Sequence, residues 1–170
     1  MKINTYSQNA LITNLYPTEH PLIGISGIIS ELGEFTEAVG TTARKLELGD
    51  TFWYCNHLAV KGLNSNFKEL IEEASTLETR ILEYESELLS LNKMLVLASK
   101  MEGRYKKIIR GDNTAGLKDQ LKQHFLIFLK ALLDYLEIWG YSLEEILSLN
   151  IEKLTKRKET NKIKGDGDYR

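Results

Sequence analysis

The sequence contains little that could cross-link or kink the chain. One cysteine, Cys55, occurs among 170 residues, which excludes an internal disulfide framework. The two prolines, Pro17 and Pro21, both lie near the start, so no proline interrupts a helix in the rest of the chain. The formal net charge of −2 provides no overall basic field, and we therefore expect no stable nucleic-acid partner.

Long apolar runs are also missing. No stretch approaches the roughly 20 apolar residues that a membrane-spanning helix needs. The first ten residues, MKINTYSQNA, lack the apolar segment of a signal peptide. We therefore expect a cytoplasmic protein that has no membrane partner.

Apolar residues recur instead at helical spacing, which predicts an all-α fold. The predicted helices cover residues 4–15, about 22–45, 47–62, about 66–110, about 117–139 and from 143 onward. Asn66 and Ser142 are suited to cap the helices that follow them, and Gly140 is suited to end the helix before it. The sequence thus predicts a four-helix-bundle-like domain that is extended by a long helical hairpin.

Two segments carry most of the predicted core. In the second helix the apolar stripe consists of Ile25, Ile28, Ile29, Leu32, Phe35 and Val39. In the fourth, apolar positions alternate spacings of four and three, a heptad pattern that predicts one long helix with a narrow seam. Its members are Leu70, Ala74, Leu77, Ile81, Tyr84, Leu88, Leu91, Leu95 and Ala98. The helix over about 117–139 is the expected antiparallel partner of that seam.

The chain divides into three predicted parts: a metal-binding half over 1–62, a helical hairpin over 63–139, and a C-terminal helix with a basic tail over 140–170. A weak internal similarity follows Gly62 and Gly140. It indicates that residues 63–139 are either an insertion or a degenerate repeat of a helix pair, and the sequence leaves both interpretations open.

The most informative stretch runs from Gly27 to Asp50. It contains two acidic pairs at a spacing of three, Glu31 with Glu34 and Glu47 with Asp50, separated by twelve residues. Each pair lies on one face of its helix, and a chain that folds back between them brings four carboxylates together. Such a cluster repels itself unless protons or a cation neutralise it. Oxygen ligands suit Mg²⁺ best, so the spacing predicts a metal site.

Several motifs resemble those of the MazG-like, all-α nucleoside triphosphate pyrophosphohydrolases. They are GIISELGE from Gly27, ELGDTFWY from Glu47, SLEEI from Ser142, NIEKL from Asn150, Arg157-Lys158 and GDGD from Gly165. The similarity covers both ends of the chain, whereas roughly residues 63–105 have no counterpart in the short members of the family.

The resemblance implies Mg²⁺-dependent cleavage between the α- and β-phosphates of a nucleoside triphosphate, and Mn²⁺ is an alternative metal. It implies that Glu31, Glu34, Glu47 and Asp50 are metal ligands, and we assign Glu34 a second role as the general base. Lys153 and Arg157 would hold phosphates and Asn150 would hydrogen-bond phosphate, sugar or water. The base would stack on Trp53 or Tyr54, although the sequence fits Trp53 equally well as a core residue.

Two other functions stay open at this point. The heptad segment could be the binding surface of a non-catalytic helical interaction protein, with the acids as a relic. Alternatively, the substrate could be a related phosphoribosyl nucleotide. The resemblance also implies a homo-oligomer, a dimer or a tetramer, although the additional helices could fill the place of a partner subunit.

Overall fold

The computed structural model describes residues 1–16, 20–83, 86–112 and 115–162. These residues form seven α-helices, one π-helical turn and no strand, so the predicted all-α class is confirmed. The α-helices are α1 (Ile3–Ile12), α2 (Pro21–Glu37), α3 (Thr41–His57), α4 (Phe67–Ser75), α5 (Glu87–Arg110), α6 (Leu117–Trp139) and α7 (Leu143–Glu159). The π-helical turn, Leu58–Gly62, continues α3.

The helices pack as two hairpins surrounded by three further helices. Helices α2 and α3 pack against each other, as do α5 and α6, and α2 joins the two pairs by packing against α5. Helix α7 covers α3, and α4 covers α6. Helix α1 contacts both covering helices and so closes the ring. The described contacts show an all-α arrangement, while its four-helix-bundle-like and family-specific form stays a prediction.

The ends of the last two helices lie where their sequence signals place them. Helix α6 covers Leu117–Trp139, and Gly140 adopts the left-handed conformation, φ 69°, that ends a helix. The Ser142 hydroxyl accepts a hydrogen bond from the Glu145 N–H at 3.3 Å and caps α7. Local capping chemistry therefore determines this part of the chain.

The predicted boundary between the second and third helices is wrong. Helix α2 ends at Glu37 rather than near residue 45, and α3 begins at Thr41 rather than at residue 47. Ala38 is extended and Gly40 has φ 90°, a conformation that glycine adopts without strain. Val39 falls in this turn and is 91 % exposed, so it does not belong to the core. Glu47 consequently lies in the middle of α3.

The prediction of one long heptad helix is also wrong, because α4 ends at Ser75 and α5 begins at Glu87. The carboxylate of Asp134 on α6 accepts hydrogen bonds from the backbone N–H groups of Ile81 at 2.6 Å and Leu82 at 3.1 Å. Leu82 is thereby fully buried, whereas Leu88, a predicted seam residue, is 67 % exposed. Asp134 thus satisfies two backbone N–H groups of this segment outside a helix.

Candidate metal centre

The α2–α3 hairpin places the acidic pairs beside the core. The buried stripe of α2 consists of Ile25, Ile28, Leu32 and Phe35, all fully buried. Glu31 and Glu34 lie on the adjoining face of the same helix and point toward α3. The carboxylates therefore lie at the border between the apolar core and solvent, as the sequence predicts.

Two glycines of α2 let α3 and its π-helical extension approach closely. A Cβ atom on Gly24 would lie 2.6 Å from the Cβ atom of Leu58, and one on Gly27 would lie 2.1 Å from the ring of Tyr54. Real Cβ atoms essentially never come this close, so a side chain on Gly24 would displace the Leu58 backbone and one on Gly27 would displace the Tyr54 ring. The close contact of the two helices brings the acidic pair of α2 within reach of Glu47.

Three carboxylates converge between α2 and α3. One oxygen each of Glu31, Glu34 and Glu47 lies within 4.8 Å of the other two. Glu47 is 9 % exposed and Glu34 is on the surface, so the cluster extends from the interior to solvent. A ligand held there would be bound on one side and accessible on the other.

Burial and crowding disfavour the charged form of Glu31. Burial is the largest cause that raises the pKa of Glu31, which reaches about 9, and the carboxylates of Asp50, Glu34 and Glu47 add to the rise. The ammonium group of Lys153 opposes it. In the absence of a cation Glu31 is therefore protonated at neutral pH, because the site gathers more negative charge than its own lysine neutralises.

Two side chains of α7 hold the carboxylate of Asp50. Its Oδ1 atom accepts a hydrogen bond from the Nδ2 atom of Asn150 at 2.7 Å, and its Oδ2 atom lies 2.5 Å from the Nζ atom of Lys153. Both partners come from α7, so Asp50 connects the acidic hairpin to the helix that carries the predicted phosphate ligands. Its role as a fourth metal ligand stays a prediction.

Helix α7 carries three of the predicted substrate residues on one side. Asn150, Lys153 and Arg157 are separated by three and four residues, which places them on one helix face. Asn150 is fully buried and Arg157 is 7 % exposed. Gly49 on α3 makes this packing possible, because a Cβ atom there would lie 2.8 Å from the Cβ atom of Asn150. The structure therefore brings the predicted phosphate side next to the predicted metal side.

The two aromatic candidates occupy unlike environments. Trp53 is 9 % exposed, and its indole N–H donates to the carbonyl of Ala10 at 3.2 Å and to the hydroxyl of Thr13 at 3.1 Å. It therefore attaches α1 to α3 as a core residue. Tyr54 is partly exposed, and its hydroxyl oxygen lies 3.0 Å from that of Tyr16. Of the two rings, Tyr54 is the one accessible for stacking.

Sequence reasoning missed two residues of this region. Tyr6 has no assigned role in the sequence analysis, yet its hydroxyl donates to the Oδ1 atom of Asn150 at 3.1 Å. Gly49 stands inside the acidic motif and has no role of its own in the sequence argument. A buried tyrosine usually has a hydrogen-bond partner, but the sequence does not show which partner that is.

The residues present fit a hard divalent cation. Oxygen ligands of one octahedral Mg²⁺ lie about 3 to 4 Å apart, so oxygens that are already within 4.8 Å of one another need only small side-chain movements. The set contains carboxylate oxygens and neither thiolate nor imidazole, which favours Mg²⁺ or Mn²⁺ over softer metals.

Comparisons with known proteins do not extend this argument. No protein-family model, curated protein or solved structure matches the chain. The resemblance to the MazG-like pyrophosphohydrolases therefore rests on the residues themselves. Its last motif, from Gly165 to Asp168, lies outside the described residues, as does the end of the predicted basic tail. Within the described part, no helix has both the length and the apolar character needed to cross a bilayer.

Proposed function

We propose that the protein is a Mg²⁺-dependent nucleotide pyrophosphohydrolase that converts a nucleoside or deoxynucleoside triphosphate to its monophosphate and pyrophosphate. The observation that carries this proposal is the convergence of Glu31, Glu34 and Glu47 from two helices. A cluster of like charges at the edge of a core destabilises a fold unless a cation binds there. Its position beside the ammonium group of Lys153 on α7 favours a polyphosphate as the substrate.

The metal ligands would be the three glutamates together with Asp50. When bound there, Mg²⁺ neutralises the phosphates and lowers the pKa of a water molecule. A single copy of the chain supplies all four carboxylates, so the proposed metal set needs no residue from a partner subunit. A homo-oligomer stays a prediction.

The chain itself would bind the substrate and accept a proton. Glu34, the exposed member of the cluster, would accept a proton from the attacking water while the water oxygen forms a bond to the α-phosphorus. The bond from that phosphorus to the bridging oxygen breaks, and pyrophosphate leaves with the electron pair. Arg157 would hold the departing phosphates through its planar fork, and Lys153 would act as a point charge.

The test is pyrophosphate release from a panel of canonical and modified nucleoside triphosphates, measured with Mg²⁺ and with chelator, together with identification of the nucleotide product. We expect a metal-dependent monophosphate. Glu34→Gln should abolish turnover, and Glu37→Gln is the matched control. Glu37 lies on the same helix one turn later, exposed and outside the carboxylate cluster, so its variant should retain the activity of the unmodified protein.

A folded protein that shows no turnover across the panel would contradict the proposal. That result would favour the helical interaction protein, for which α5 offers exposed apolar side chains at Leu88, Val96 and Ile109. Release of pyrophosphate from a phosphoribosyl nucleotide alone would keep the reaction class and change the substrate.

A further inference from the structure

A buried chain of hydrogen bonds joins three helices behind the carboxylate cluster. The hydroxyl of Tyr6 on α1 donates to the Oδ1 atom of Asn150 on α7 at 3.1 Å. The Nδ2 atom of Asn150 in turn donates to the Oδ1 atom of Asp50 on α3 at 2.7 Å. Tyr6 and Asn150 are both fully buried, so water does not compete for these bonds.

The direction of this chain is fixed by its last member. An asparagine amide has a donating end and an accepting end, whereas a carboxylate oxygen only accepts. Asn150 therefore turns its NH₂ group toward Asp50 and its oxygen toward Tyr6. Burial raises the pKa of Tyr6 well above its ordinary value, so the hydroxyl keeps its proton and donates to that oxygen.

Helix packing prevents Asn150 from moving away instead. A Cβ atom on Gly49 would come within 2.8 Å of the Cβ atom of Asn150, so the side chain of Asn150 packs directly against the backbone of Gly49. Without the Tyr6 hydroxyl, the buried Oδ1 atom would lose its hydrogen bond, and of these two bonds only the one to Asp50 would still hold the amide. The amide would then be held less firmly, and the Asp50 carboxylate that it orients would be held less firmly with it.

We propose that Tyr6 is a positioning residue of the metal centre, which fixes the amide of Asn150 and through it the orientation of the Asp50 carboxylate. The inference rests on the proposed function, because it takes Asp50 to be a metal ligand. Tyr6 itself touches neither metal nor substrate. Groups that orient metal ligands typically change metal affinity about 10- to 100-fold when they are removed.

The test measures Mn²⁺ binding to the full chain by electron paramagnetic resonance, without nucleotide. Tyr6→Phe should weaken binding about tenfold, since it removes one hydroxyl and keeps the ring. Tyr135→Phe is the matched control. Tyr135 is also fully buried and donates its hydroxyl to a carboxylate, Oε1 of Glu87, at 2.5 Å, but it lies on α6 and outside the site. Its variant should bind Mn²⁺ as the unmodified protein does.

A double-mutant cycle separates positioning from a general loss of stability. In the Asp50→Asn background, Tyr6→Phe should cause no further loss of Mn²⁺ affinity, because its effect passes through Asp50. An equal loss in both backgrounds would overturn the inference, as would unchanged binding by Tyr6→Phe alone or equal weakening by Tyr135→Phe.

The same measurement distinguishes the failure of the two proposals. Unmodified protein that binds no Mn²⁺ would overturn the proposed metal centre, and the inference with it. If the unmodified protein binds Mn²⁺ and Tyr6→Phe binds it with the same affinity, the inference about Tyr6 is overturned and the proposed function still stands.

Discussion

The acidic region, formed by α2, α3 and α7, and the hairpin region, formed by α5 and α6, use buried polar groups in opposite ways. Among the described residues, six buried polar side chains lie on α3 and α7, and two lie on α5 and α6. The six are Glu47, Thr51, Asn56, His57, Asn150 and Arg157, and the two are Ser90 and Asp134. The hairpin region is an apolar seam, whereas the acidic region keeps polar chemistry in its interior.

One carboxylate from each region shows what this difference means. Asp134 accepts hydrogen bonds from two backbone N–H groups and lies 2.9 Å from the Nζ atom of Lys130, so its charge is neutralised and holds the fold together. Glu31 has three carboxylates near it, which raise its pKa together with burial. The first arrangement stabilises the protein, and the second costs stability until a cation or a proton arrives.

The largest expected effect is on catalysis. Glu47→Gln should lower turnover at least about a thousandfold, or about 4 kcal/mol of activation free energy, because it removes a charged ligand from the centre of the site. Its free energy of unfolding in chelator should not fall, since the substitution removes one of several repelling charges. Steady-state kinetics and urea unfolding check the two expectations, with Glu152→Gln on the exposed side of α7 as the control. A variant that loses both activity and stability would assign Glu47 to the fold.

The second effect concerns the hairpin region. Asp134→Asn should lower the free energy of unfolding by about 3 kcal/mol, because it leaves Lys130 without its partner and weakens the bonds to the 81–82 backbone. Urea denaturation measures the loss. Glu137→Gln is the control, since that carboxylate is 61 % exposed in its ion pair with Arg80 and should matter by less than about 1 kcal/mol. Equal effects of the two substitutions would remove the contrast between the regions.

The third prediction separates metal from substrate. Lys153→Met should raise KM for the triphosphate about tenfold, because it removes a phosphate ligand, and should tighten Mn²⁺ binding, because the lysine neutralises Asp50 in competition with the metal. Kinetics and Mn²⁺ titration should thus change in opposite directions. Weaker Mn²⁺ binding by this variant would mean that Lys153 supports the geometry of the metal site and does not compete with the metal for Asp50.

The smallest effect is a dependence of stability on pH. The pKa of Glu31 is about 9 in the folded protein and ordinarily 4.5, so between these values the folded state holds a proton that the unfolded state has lost. In chelator, stability should therefore decrease as pH rises through this window, by at most about 1.4 kcal/mol per pH unit. Urea unfolding at pH 7 and pH 8 measures the slope.

Two further measurements bear on the same proton. Glu31→Gln should flatten the slope, because it removes the titrating group. Calorimetry of Mn²⁺ binding in buffers of different ionisation enthalpy should show release of a proton near neutral pH. An unchanged slope in the variant would indicate that another group titrates.

Prediction from the sequence succeeded where a local rule is enough. The limits of α6, the Ser142 cap and the buried stripe of α2 each depend on a few neighbouring residues. It failed where a residue far away in the sequence determines the local conformation. Asp134 holds the backbone of residues 81–82, which are about fifty positions away in the chain, and this contact replaces the predicted long helix by α4 and α5. Val39 continues the helical spacing of the apolar residues of α2. It is nevertheless exposed, because α2 ends at Glu37 and Val39 lies in the turn before Gly40.

The candidate site divides in the same way. The spacing of the acidic residues predicted one cluster of Glu31, Glu34, Glu47 and Asp50. The structure brings oxygens of the first three within 4.8 Å of one another, while Asp50 is held by Asn150 and Lys153 of α7. The sequence left Trp53 open between core and stacking, and its bonds to α1 place it in the core.

The sequence alone determined the fold class and which residue types lie on each helix face, because periodicity and capping act within a few turns. Only the tertiary structure decided which faces meet, since contacts such as those of Tyr6 with Asn150 or of Gly49 with α7 join residues about a hundred or more positions apart. Carboxylates become a candidate metal centre only when packing holds them close enough to repel. That distance is a property of the folded chain.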